Sequence, residues 1–176
     1  TLHRHGLTDV QYSHYNNYKV GNVVLFNRSY SKLGVGKNEY LQVDRIDDKH
    51  GILYLKKQDG KTIKWRQDKI AGARKGSVEV YEPKVTPIRI GEQLRWCRNS
   101  RSHPEVINAR MFEITGLTAT DISIRTETGE SKVMKLNDSA LKHMDYAYAS
   151  TVHAAQGRTT KKVIGVMEAK HPHLTN

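Results

Sequence analysis

The sequence predicts a mainly β protein, in which a short N-terminal helix is followed by two similar small β-units. Three observations predict this fold class. Short runs of apolar and β-branched residues alternate with turns that contain Gly, the runs are spaced as in a small barrel or sandwich, and the pattern returns after about 70 residues. We therefore expect two copies of one β-unit in tandem.

Residues 1–17 predict a helix and a linker. Thr8-Asp9-Val10-Gln11 has the form of a capping box, with Thr at the N-cap and Gln three positions later. It predicts a helix over about residues 9–15. A helix of this length is not stable alone, so we expect it to pack against the β-units.

The first β-unit is predicted over residues 18–82. Its strand candidates are Val23-Val24-Leu25-Phe26, residues 39–46, residues 51–55 and residues 62–65. The last two runs flank Asp59-Gly60, and Asp-Gly between two β-runs is the strongest short-range signal for a hairpin.

The second β-unit is predicted over residues 83–148, because residues 90–98 repeat the pattern of residues 20–28. Two of the four prolines, Pro83 and Pro87, mark the join as a linker. Each unit is small for an independent core, so we expect the two units to pack against each other. The alternative is two unrelated small β-folds that share a Gly-entry strand and a Gly hairpin.

The charge of the chain indicates an anionic partner. There are 29 Lys and Arg against 18 Asp and Glu, which gives a net charge of +11, and the pI is about 9.7. These values are typical of nucleic-acid binding, but an acidic protein or a membrane surface can use the same charge.

The rest of the composition excludes several classes. No apolar run approaches the roughly 18 residues of a membrane span, and no signal peptide is visible. The single cysteine excludes an internal disulfide and a Cys-rich metal site, which favours a bacterial cytoplasmic location. Cys97 follows Trp96 in an apolar run and is expected in the core. Because the first residue is Thr1 rather than Met, we expect a piece of a longer protein, monomeric by itself.

Basic residues interleave with Tyr and Trp around the predicted loops. This pattern suits single-stranded DNA, because cations follow phosphates and aromatic rings stack on bases. The candidate DNA-binding residues are Arg28, Lys32 and Lys37 on the first loop, Lys56, Lys57 and Lys64 around the first hairpin, and Arg98 and Arg101 on the equivalent loop of the second unit. The alternative is a solvated basic face, and Trp65 is expected in the core of its own unit.

No catalytic or metal-binding arrangement is evident. The carboxylates form no pair, no Ser–His–Asp or Cys–His set is supported, and the nine His residues give no ligand cluster. Gly34-Val35-Gly36-Lys37 superficially suggests a phosphate loop, but Asn38 stands where the magnesium-binding Ser or Thr belongs. We therefore expect the chain to be inactive by itself and to hold no cofactor.

Residues 146–159 combine a β-rich entry with a polar turn. The turn carries Thr151, His153, Gln156 and Gly157, and the apolar run 163–167 follows. A Gly lets a phosphate approach the backbone closely, and Thr and His side chains can donate hydrogen bonds to an anionic backbone. The stretch predicts a strand, a turn and a second strand.

Thr151-Val152-His153-Ala154-Ala155-Gln156-Gly157 resembles motif V of superfamily 1 helicases of the RecD-like branch. The flanking Tyr-Ala-Tyr-Ala-Ser and Arg-Thr-Thr are similar to the TraI-type (MobF) conjugative relaxase–helicases. In that family, SH3-like β-modules are inserted into the second RecA-like domain just before motif V. The resemblance covers about residues 6–166. It implies tandem SH3-like β-barrels at 18–82 and 83–148, and a RecA-like fragment with motif V at 149–176.

The resemblance also implies a function. The intact protein would be an ATP- and Mg²⁺-dependent DNA helicase with relaxase activity that unwinds plasmid DNA for conjugative transfer. Thr151 and His153 would contact single-stranded DNA, and Gln156 and Gly157 would lie near the nucleotide. Two alternatives stay open. One is a protein-docking module with a type IV secretion signal for a coupling protein, exported to the recipient cell, and the other is a stand-alone tandem SH3-like protein that binds RNA.

Overall fold

The computed structural model describes residues 1–69, 76–100 and 102–148. In chain order its strands are β1 (Leu2–Arg4), β2 (Val23–Phe26), β3 (Glu39–Asp47), β4 (Ile52–Lys56), β5 (Thr62–Trp65), β6 (Val78–Pro83), β7 (Gln93–Trp96), β8 (Met111–Leu117), β9 (Asp121–Thr126), β10 (Ser131–Lys135) and β11 (Met144–Tyr146). One helical turn, α1 (Asp9–Tyr12), and 3₁₀ turns at Tyr15–Asn17, Ser31–Leu33, Gln67–Lys69 and Ser139–His143 complete the described elements. The predicted mainly β class is confirmed.

Two antiparallel sheets share one strand order. The first sheet runs β1-β6-β2-β3-β4-β5, and the second runs β11-β7-β8-β9-β10, which matches the first without β1. Both sheets contain a register shift at the same place, between Val43 and Arg45 in the β3–β4 pair and between Ile114 and Gly116 in the β8–β9 pair. The repeat in the sequence therefore corresponds to a repeat in the structure. Closure of each sheet into a barrel, and the domain boundaries, stay predictions.

The N-terminal segment contributes a strand that the sequence pattern did not predict. β1 pairs with β6, with His3 opposite Glu82. The capping box is confirmed, because Thr8 Oγ1 accepts from Gln11 N at 3.3 Å and Gln11 Oε1 accepts from Thr8 N at 2.8 Å. The helix is one turn, shorter than residues 9–15, since a 3₁₀ turn follows it. Buried Tyr12 ties this turn to the sheet by donating to the His5 carbonyl oxygen at 2.9 Å.

Each sheet covers an apolar cluster of its own. Trp65, expected in the core, is fully buried in the first cluster, where its ring meets Tyr18 and Phe26 edge-on at 5.6 and 5.2 Å. In the second cluster, Trp96 stacks on Phe112 with ring centroids 4.1 Å apart. Such aromatic pairs add to the stabilisation that burial of the rings already gives.

Cys97 was expected in the core and is instead exposed. It follows the last residue of β7, and successive side chains of an extended chain point to opposite sides, so buried Trp96 directs Cys97 outward. Its backbone N–H donates to the His143 carbonyl oxygen at 2.8 Å. Among the described residues, no helix is both long and apolar enough to cross a membrane.

Candidate nucleic-acid interface

An open cleft of about 1070 Å³ lies where the two sheets meet. Among the described residues, its lining carries four cationic side chains, Arg28, Lys37, Arg98 and Lys142, and one carboxylate, Glu79. Most of the remaining lining consists of Asn and Ser side chains, together with Tyr40. The cleft is therefore polar and cationic, which is the chemistry that phosphate oxygens bind.

Loops at equivalent positions of the two repeats supply two of the cations. Arg28 lies two residues beyond β2, and Arg98 lies two residues beyond β7, 70 positions later. Lys37 reaches the cleft from the turn before β3. The turn is fixed by Asn38, which has a φ of 59° and donates from its backbone N–H to the Phe26 carbonyl oxygen at 2.7 Å. The repeat thus brings matched loops to one site.

Arg98 connects the second sheet to the first. Its guanidinium donates to the Tyr81 hydroxyl at 3.1 Å and to Asn27 Oδ1 at 3.2 Å, and it lies 3.8 Å from a Glu79 oxygen. Burial by itself would raise the Glu79 pKa, but hydrogen bonds from Tyr81 and Asn27, with the charges of Arg98 and Arg4, lower it overall. Glu79 is consequently ionised at neutral pH and holds Arg98 in place.

Tyr40 and His143 make a second connection between the sheets. The Tyr40 hydroxyl and His143 Nε2 are hydrogen bonded at 2.7 Å, and the His143 ring meets Tyr81 edge-on at 5.1 Å. The Lys142 ammonium lies over the Tyr40 ring, 5.2 Å from its centroid. Burial lowers the His143 pKa to about 4, and the charges of Arg98 and Lys142 act in the same direction. His143 is therefore neutral at pH 7.

Acidification from about pH 7 to about pH 5 is expected to destabilise the wild-type chain more than a His143→Gln variant. Between pH 6.5 and about 4 the unfolded chain binds a proton at His143 that the folded chain does not. Stability that is present above pH 6.5 is thus lost as the pH falls toward the folded pKa. Urea midpoints at both pH values measure this difference, and equal pH sensitivity of the two proteins would contradict it.

The other candidate DNA-binding residues either do not line the cleft or lie outside the described residues. Three of them are exposed: Lys32 on the 3₁₀ turn Ser31–Leu33, Lys56 at the end of β4 and Lys64 on β5. Lys57 is already engaged, because its ammonium lies 3.0 Å from Glu39 Oε1 and donates to the Gly34 carbonyl oxygen at 2.6 Å. Arg101, Thr151, His153, Gln156 and Gly157 lie outside the described residues. Phosphate contact by any of these side chains stays a prediction.

Lys142 and Tyr40 are among the cleft residues that the sequence pattern did not single out. Lys142 lies at the end of the 3₁₀ turn Ser139–His143, and Tyr40 lies near the start of β3. Nothing in the local sequence pattern distinguishes them from other surface residues. They become part of a site only because the two sheets meet along these elements. A repeat in the sequence predicts two units but carries no signal for the faces through which the units contact each other.

The sequence of this chain is similar to that of the multifunctional conjugation protein TraI of Escherichia coli (strain K12), with 25% identity over 122 residues. No family model matches the chain. The similarity covers 68% of this chain and 7% of TraI. The chain is therefore distantly similar to a short part of a conjugation protein.

Proposed function

We propose that this chain is a non-catalytic segment of a TraI-type conjugative helicase–relaxase and that it binds single-stranded DNA. The cleft between the sheets carries the proposal, because four cations from both repeats line it against one carboxylate. The similarity to a conjugation protein supports the biological setting.

The lining of the cleft favours a nucleic-acid strand over a docking protein. Its carboxylate, Glu79, is already paired with Arg98 and Arg4, so no acidic surface is presented to a basic partner. The Asn and Ser side chains supply neutral hydrogen-bond donors suited to phosphate and sugar oxygens. Tyr40 adds an aromatic ring beside the cations, the combination that single strands use for stacking and charge neutralisation.

In the parent protein the segment holds DNA beside the motor. Motif V then connects the strand with the nucleotide through Thr151, His153, Gln156 and Gly157. We include in this proposal the division into SH3-like barrels at 18–82 and 83–148, which the shared strand order supports.

The described residues of this chain do not fit an ATP site. Strand β3 follows the Gly34 to Lys37 turn, whereas a phosphate loop needs a helix at that point. No group of three or more His, Cys, Asp and Glu in the described part of the chain could hold a metal ion. In the proposal, ATP and Mg²⁺ are cofactors of the parent protein.

The 176-residue chain is expected to bind single-stranded DNA in a salt-sensitive manner. Each neutralised phosphate of a single strand contributes about 0.7 to the slope of log affinity against log salt, so three or four contacts give a slope of roughly −2 to −3. Affinity then falls roughly 20- to 50-fold between about 50 and about 200 mM salt. Fluorescence anisotropy with a labelled thymidine oligonucleotide measures this loss.

The same titration with an RNA strand and with duplex DNA separates the competing partners. Affinity for single-stranded DNA that stays constant with salt would refute phosphate binding in the cleft. Preference for RNA over DNA of the same length would favour the stand-alone RNA-binding alternative.

A further inference from the structure

A second depression, which we call the apolar groove, lies beside the cleft on the first sheet. Its volume is about 610 Å³. Val23 of β2 and buried Leu41 of β3 line one part. Exposed Pro83, at the end of β6, and exposed Val85, two residues beyond it, line another. Val85 is 95% exposed, so this apolar side chain is available to a ligand.

The rim of the apolar groove is cationic. Lys56, Lys84 and Lys142 line it, and none of the three forms an ion pair with a described residue. Lys57 also lines it but is paired with Glu39. No carboxylate stands among the described lining residues. The groove therefore suits a ligand with an apolar face and a negative charge close to it.

The apolar groove adjoins the cleft. Tyr40, Gln58 and Lys142 line both depressions, so their side chains form a shared wall. The two sites differ in chemistry, since the cleft offers polar donors and cations while the groove offers apolar surface rimmed by lysines.

We propose that the apolar groove binds a nucleobase of the same single strand whose phosphates lie in the cleft. This inference rests on the proposed function and adds a base-binding subsite to it. A nucleotide has the required chemistry, because a flat apolar base is joined to an anionic phosphate. The base packs against Val23 and Val85, the flanking phosphate meets Lys84 or Lys142, and the shared Tyr40 wall guides the strand between the two sites. Contacts with apolar side chains tolerate every base, so the subsite adds affinity without sequence preference.

The test compares two ligands of equal charge on four forms of the 176-residue chain, which are the wild type, two groove variants and one control. One ligand is a thymidine oligonucleotide of about 12 nucleotides, and the other is an abasic deoxyribose-phosphate strand of the same length. The groove variants are Val85→Ala and Val23→Ala/Val85→Ala. The matched control is Val20→Ala/Val133→Ala, because Val20 and Val133 are 64% and 68% exposed and line neither depression.

The wild-type chain is expected to bind the abasic strand at least about fivefold more weakly than the thymidine strand. In the groove variants this ratio moves toward one, chiefly through weaker binding of the thymidine strand, and in the control it is unchanged. Val85→Ala alone should give part of this change in the ratio. Because Val85 is highly exposed, its replacement should not alter the stability of the fold.

Four results would overturn the subsite, and only the last of them also removes the proposed function. Salt-sensitive DNA binding with equal affinity for both strands removes the base subsite and leaves the cleft intact. An equal change of the ratio in the control variant removes it as well. Equal affinity for both strands, combined with binding of a peptide of alternating Glu and Leu that Val23→Ala/Val85→Ala weakens, would assign the groove to an acidic peptide. No binding of either strand would remove the proposed function together with the subsite.

Discussion

Replacement of both Arg28 and Lys37 by Gln is expected to weaken binding of single-stranded DNA by about 30-fold at about 50 mM salt. The two side chains line the cleft, are exposed, and form no ion pair with a described residue. Loss of two phosphate contacts should also reduce the magnitude of the salt slope by about 1.4. Anisotropy titrations at several salt concentrations measure both quantities. Arg98 is left unchanged, because its contacts with Asn27 and Tyr81 also connect the sheets.

The control for this variant removes the same charge from another surface. Lys19 and Lys132 are exposed and lie outside the lining of the cleft and of the apolar groove. Lys19→Gln/Lys132→Gln should lower affinity only slightly, since distant charges act through a screened field. An equal loss in both variants would mean that net charge alone holds the DNA and that the cleft is not a site.

Trp65→Ala is expected to lower the free energy of unfolding of the first sheet by about 3–5 kcal/mol. The indole is fully buried and packs edge-on against Tyr18 and Phe26, so its removal leaves a large cavity among rigid neighbours. Trp65→Phe should lower the free energy of unfolding clearly less than Trp65→Ala. Phe keeps an aromatic ring, and it removes an indole N–H that has no hydrogen-bond partner in the structure. Urea unfolding followed by far-ultraviolet circular dichroism measures these losses.

Lys64→Ala serves as the control for the tryptophan variants, because it changes an exposed neighbour on β5. For such a surface position, we expect the free energy of unfolding to change by less than about 0.5 kcal/mol. A loss below about 1 kcal/mol in Trp65→Ala would contradict the central position of Trp65 in the first cluster.

The strands of the fold were largely predictable because local signals carry them. The run Val23 to Phe26 and the Asp59-Gly60 hairpin each depend on residues adjacent in the chain, and both are present in the structure. β1 was missed because three residues are too few to show a period of two. Cys97 was misplaced because an apolar run does not reveal which of its side chains face outward.

The candidate site was predictable only in part, since it depends on contacts far apart in the sequence. Arg28, Lys37 and Arg98 were identified from charge and repetition, but their convergence follows from the way the two sheets meet. Lys57 shows the opposite case. Its charge suggested phosphate contact, whereas its pairing with Glu39 joins residues 18 positions apart and is not visible in the pattern.

The connection between the sheets has a mechanical consequence. Among the described residues, the sheets are connected by the polar contacts from Arg98 to Tyr81 and Asn27 and from Tyr40 to His143, together with the ring contact of His143 and Tyr81. Each apolar cluster belongs to one sheet. Water can replace such bonds at modest net cost, so polar interfaces permit relative motion far more readily than a shared apolar core does. The separation of the two sheets can therefore change without rearrangement within either sheet, and under the proposed function the width of the cleft would adjust to the bound strand.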